Sequence, residues 1–198
     1  MKTKPSSILN ELKHHVPFTV LATFIAIILV FIITEFELFN IPEATFHGFH
    51  YLHVLVSATA TAAIYHRYKK SFAGAIIIGI LGAIIIGSLS DVLFPYLGSL
   101  FFEHLHAEFH LPIMESTIFV LSFAFIGGVL GAWKEKSKTP HFIHVLLSVF
   151  ASFFYLYSFT FNWGLGTLFI VFAIVFISVI IPCCLSDIIF PFLFLGKK

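Results

Sequence analysis

Long apolar runs alternate with short polar pieces along the whole chain. Six stretches read as helices of roughly the 20 apolar residues that cross a hydrocarbon core: about 17–39, 49–65, 72–97, 111–133, 142–160 and 165–194. The second is the weakest, being short and rich in Ala and Thr. The connectors, residues 40–47, 66–70, 101–110, 134–141 and 161–164, hold most of the polar groups. The pattern predicts an all-α integral membrane protein of six transmembrane helices.

Three pieces of the first half recur in order in the second. His15-Val-Pro-Phe matches His110-Leu-Pro-Ile, HYLHVLVS from His50 matches HFIHVLLS from His141, and SLSDVLFPYLG from Ser88 matches CLSDIIFPFLFLG from Cys184. Their offsets are 95, 91 and 96 residues, so the register drifts only by loop length. Residues 1–98 and 99–198 are therefore expected to be two three-helix repeats. Three is odd, so the second copy is expected inverted relative to the first, a 3+3 inverted-topology repeat of the kind secondary transporters use, forming one membrane domain.

Charge gives that picture a direction. All eleven Lys and Arg fall at the amino terminus, after the second and fourth runs, and at the carboxyl terminus, while the alternate loops hold none and carry glutamates. Because cytoplasmic loops are enriched in Lys and Arg, this predicts a multi-pass protein with both termini cytoplasmic. Of the 198 residues, 59% are hydrophobic and 11% charged, where a soluble domain carries about a quarter charged residues. The formal charge of +1 offers nothing to nucleic acid. Adjacent Cys183 and Cys184 form no disulfide framework. The apolar run after the amino terminus lacks a small-residue cleavage site and reads as a retained span.

The candidate chemistry lies in the repeated residues. An ionisable group inside an apolar helix is costly and by default functional. Sorted by the predicted topology, His50, His53, Asp91 and His110 form an outer set, and His15, His141, His144 and Asp187 an inner set. Each has three imidazoles and one carboxylate, the donors of first-row metal sites. Pro95 and Pro191 stand four residues after the aspartates. Each lacks the N–H that would bond the aspartate carbonyl, so each is expected to interrupt its helix and free an oxygen.

Accessory candidates are Glu103, His104, His106 and Glu108 in the third polar piece of the pattern, Glu115 just inside the fourth run, Cys183 and Cys184, and Ser57 and Ser148 one turn beyond His53 and His144. No catalytic residue is assigned. The expectation is a small secondary transporter of a divalent first-row metal ion, zinc or similar, with entry and exit sites on the two faces. Imidazoles titrating near neutral pH could couple release to protons. The ion is substrate or bound ion; the other partners are the bilayer and, left open, further copies of the chain. The rivals are a membrane metalloenzyme with a histidine-ligated centre, which the split of histidines between faces opposes, and a haem protein pairing His53 with His110.

Overall fold

In a computed structural model the described residues are 16–32 (except 18, 27 and 30), 42–103, 105–133, 141–160, 165–184 and 190–194. Among them every regular element is a helix, with residues 19–26 forming helical turns ahead of the first long element. That element, α1 (Glu43–Lys69), starts directly after Pro42, with an acidic residue in its first turn. Glu43 there sits favourably against the positive end of the helix dipole. The helix stops at Lys70, whose left-handed φ of 53° lets its N–H close onto the His66 carbonyl. Ser71 then caps α2 (Phe72–Ser88), its side chain accepting from the Gly74 N–H.

α2 does not end at the aspartate. It widens into a π-helical turn (Leu89–Leu93) and continues as α3 (Phe94–Ser99). The helix is not broken at Pro95 as expected but widened ahead of it: the Phe94 N–H reaches back five residues to Leu89. A wider turn accommodates a residue that cannot bond four residues back. Residues 105–111 then run without helix to α4 (Pro112–Glu115). After a break at Ser116 follow α5 (Thr117–Trp133), α6 (His141–Phe159), α7 (Leu165–Cys184) and the short α8 (Phe190–Leu193).

α1 is the axis of the fold, packing against α2, α5 and α6. Small residues set the closeness of the α5 contact. A Cβ at Gly127 would run into the Leu55 carbonyl oxygen, and one at Gly131 into that of Thr59. α6 packs on α7 and on the π-helical turn. The largest core cluster joins Phe46 of α1 and Val92 of the turn to Phe153, Tyr155 and Leu156 of α6 and Val175 of α7.

The six-span architecture is corrected by these elements. Among the described residues one continuous helix, Phe72–Ser99 with 28 residues, is long and apolar enough to cross a membrane. Thr117–Trp133, Ile143–Phe159 and Thr167–Pro182 are apolar but shorter, and α1 is long but carries histidines, hydroxyls and charges along its length. The physical reason is that hydropathy runs on through breaks. Residues 111–133, one run in the sequence, are two helices divided at Ser116. The multi-pass localisation with cytoplasmic termini, the bilayer as partner and the inverted pair of membrane repeats rested on six spans and lose that support.

Candidate metal centre

Glu43, His47, His50, His53 and Ser57 follow one another at spacings of four, three, three and four residues. Such spacings place side chains on one face of a helix, so α1 carries a polar stripe from its exposed first turn into the core. Glu43 is exposed and His47 half-buried, while His50, His53 and Ser57 are buried. Partners from other elements meet this stripe at two levels.

At the outer level the 105–111 loop supplies His110 and α4 supplies Glu115. Two hydrogen bonds tie the loop to the end of α6: the Glu108 N–H donates to the Phe159 carbonyl at 3.1 Å, and the Tyr155 hydroxyl donates to the Glu108 carbonyl at 2.8 Å. The His110 ring stacks on Phe159 with centroids 4.3 Å apart and meets the edge of Phe46. The break at Ser116, with ψ at 46°, ends α4 just after Glu115. Glu115 Oε2 thereby lies 2.7 Å from His110 Nε2.

Four ligand atoms converge here. His110 Nε2 is 3.1 Å from His47 Nε2 and 3.4 Å from Glu43 Oε1, and His47 Nε2 is 3.3 Å from that same oxygen. All four residues' donor atoms lie within 4.8 Å of one another, the one such group among the described residues. Ligands at zinc distances of about 2.0–2.1 Å around a tetrahedral ion are about 3.3–3.4 Å apart, close to most of these edges. Glu43, His47, His110 and Glu115 form a cluster able to hold a metal ion. Burial lowers the His110 pKa and His47 lowers it further, against the opposing pull of Glu115 and Glu43. The imidazole is thus held neutral, the form that binds metal.

The inner level is centred on Asp91, fully buried in the π-helical turn. Its Oδ2 accepts from His50 Nδ1 at 2.9 Å and His53 Nδ1 at 2.7 Å, and its Oδ1 from Ser90 at 2.7 Å and Ser148 at 2.9 Å. An ionised carboxylate only accepts, so both imidazoles present Nδ1–H to it. Neutral His53 then has its lone pair on Nε2, where His144 Nε2 lies at 2.9 Å and donates. Ser152 extends the network, bonding the Ser90 carbonyl at 2.9 Å. Burial raises the Asp91 pKa, but the imidazoles of His53 and His50 more than offset it and hold the carboxyl below its ordinary range. Burial also lowers the His53 pKa despite the adjacent carboxylate.

The expected sets are regrouped by this geometry. His50, His53 and Asp91 do come together, but His110 stands with His47, Glu43 and Glu115 instead. His144, assigned to the opposite face of a membrane, is hydrogen-bonded to His53, its counterpart in the sequence repeat. Among the described residues, members of the two expected sets meet, and one helix instead of six is long and apolar enough to cross a membrane, which overturns the transporter reading. The haem pairing of His53 with His110 fails likewise, since each faces another imidazole, and the membrane enzyme loses the six spans it assumed.

Among the accessory residues, Glu115 joins the outer cluster and Ser148 the inner one. Glu103, His106 and the Glu108 side chain are exposed. His15, His104 and Asp187 lie outside the described residues, as do the side chains of His141, Cys183, Cys184 and Pro191. Sequence reasoning missed Glu43 and His47. Their signal was the continuation of the HxxH spacing one and two turns backward, in what had been read as a connector.

The fold and the cluster define the class: an all-α protein with a carboxylate–imidazole centre at one end of its axial helix. No protein family, curated protein or solved structure matches the chain.

Proposed function

We propose that this protein binds one divalent first-row metal ion, of the zinc type, through Glu43, His47, His110 and Glu115. The observation that carries the reading is the convergence of four nitrogen and oxygen donors within 4.8 Å of one another. A mixed imidazole–carboxylate set suits zinc and its neighbours, and the absence of thiolate from it disfavours the softest ions. Two half-exposed carboxylates leave the ion reachable from solvent, and their charges neutralise it. Binding is tested by calorimetry with zinc on purified protein and on His110→Ala and Glu115→Gln. The expected result is one ion per chain, with affinity reduced at least tenfold in each variant.

A second reading has its own observation. His53 Nε2 and His144 Nε2, 2.9 Å apart, could form one edge of an ion's ligand set, with Asp91 orienting His53 from behind. It is the weaker, because the four hydrogen bonds on Asp91 leave its oxygens no room for the ion. Zinc binding lost with His144→Ala and retained with His110→Ala would replace the first reading by this one.

A further inference from the structure

We infer that Tyr51 and Ser116 are positioning residues for His47, fixing its ring so that Nε2 carries a lone pair toward the ion. The inference rests on the metal-binding reading above and adds to it a set of residues that do not touch the metal.

The proton positions follow from a group that cannot donate. The Pro112 carbonyl only accepts, and the Ser116 hydroxyl lies 3.1 Å from it. With its proton committed there, Ser116 Oγ is an acceptor, and the Tyr51 hydroxyl donates to it at 2.6 Å. The Tyr51 oxygen is then left to accept, and His47 Nδ1 stands 3.4 Å away. Each step has one consistent direction: His47 Nδ1–H to Tyr51, Tyr51 to Ser116, Ser116 to Pro112. A neutral imidazole with its proton on Nδ1 has none on Nε2, and His47 Nε2 is the atom that faces His110 and Glu43. Metal-bound histidines characteristically donate their other ring N–H to such a partner, which sets the tautomer and the ring plane.

The sequence builds this relay economically. Tyr51 is four residues beyond His47, one turn along the same face of α1. Its ring lies between α1 and α5, stacked on Phe119 at 5.9 Å and tilted against Phe123 at 5.6 Å. Ser116 is the residue at which α4 stops and α5 has yet to start. One break in the helix therefore places a ligand, Glu115, and the hydroxyl that anchors Tyr51, in adjacent positions. In an unbroken helix these two side chains would point about 100° apart.

The test uses the full chain with ¹⁵N-labelled histidine. In wild-type protein without metal, the His47 ring should show the Nδ1–H tautomer, a readout that packing alone does not set. Tyr51→Phe keeps the ring and its stacking; it should mix the tautomers and weaken zinc binding about 10–100-fold, as loss of such partners does elsewhere. Ser116→Ala should do the same more weakly, and Ser116→Thr, which keeps a hydroxyl, should restore both readouts. In a His47→Ala background Tyr51→Phe should add no further loss. If Tyr51→Phe fails to fold, the Ser116 pair carries the test. The inference is overturned by the opposite tautomer in wild type, or by unchanged zinc affinity in a folded Tyr51→Phe or Ser116→Ala protein. Should wild type bind no zinc at all, the metal reading fails, while the tautomer spectrum still decides whether the relay exists.

Discussion

About three turns of α1 lie between Glu43 and His53, and over that distance imidazole and carboxylate serve two different ends. Around Asp91 every donor meets an acceptor: two N–H and two O–H groups close on one carboxylate, out of reach of water. Around His110 the balance is reversed. Its Nε2 faces another imidazole nitrogen and two carboxylates, and a neutral ring has at most one proton there to share among them. The buried cluster is complete as a hydrogen-bond network, whereas the outer one has more lone pairs than hydrogens. That surplus, more than the number of histidines, distinguishes a site for a cation from a structural network.

Removing the centre of each cluster should separate them most sharply. Asp91→Ala strands two imidazole N–H groups and two hydroxyls in the core. Breaking such a buried arrangement costs about 3–5 kcal/mol, to be read from the urea midpoint. Glu115→Gln, at an exposed position, should change stability by no more than about 0.5 kcal/mol while still impairing zinc binding. An Asp91→Ala protein within about 1 kcal/mol of wild type would remove the structural role given to the inner cluster.

A smaller effect is expected where α5 seats on α1. Gly131→Ala drives a methyl group into the Thr59 carbonyl oxygen, a backbone atom that cannot rotate away. Overpacking of this kind costs about 1–3 kcal/mol, while zinc affinity should change little, because Gly131 lies at the end of α5 far from Ser116 and Glu115. Unchanged stability in thermal melts would mean that α5 is not held by this contact.

Acidification should act on both levels, with a definite sign. His53 and His110 have folded-state pKa values below the ordinary 6.5, so between the two values the unfolded chain binds more protons than the folded one. Their contribution therefore lowers stability as pH falls from about 6.5, and restores it as pH rises. Zinc competes with protons only at the outer level. Added zinc should raise the melting temperature at pH 7 and lose that effect as His110 protonates. A zinc-induced shift that persists unchanged well below pH 5 would not come from imidazole ligands.

What the sequence made legible was spacing, and what it hid was termination. The turn-by-turn recurrence of His50 and His53 placed both on one face of a helix, and the repeat singled out His144 and Ser148, which do meet Asp91's network. Hydropathy could not see that Ser116 stops a helix or that the turn around Asp91 widens without breaking. It therefore counted spans where the chain bends. Sidedness was the further casualty: assigning His53 and His144 to opposite faces depended on helix count, and a 2.9 Å contact between them leaves no distance for a membrane to occupy. Glu43 and His47 were passed over because apolarity starts later, at Phe49, whereas the helix starts at Glu43.

The central claim is where the ion sits, and X-ray absorption at the zinc edge on the one-to-one zinc-loaded protein measures it most directly, with anomalous diffraction where crystals allow. Two imidazole nitrogens and two carboxylate oxygens are expected at about 2.0–2.2 Å, with the anomalous peak between His47, His110, Glu43 and Glu115. The imidazole scattering should be halved in His110→Ala and unchanged in His144→Ala. A zinc peak beside His53 and His144, or a spectrum that His110→Ala leaves intact, would contradict it.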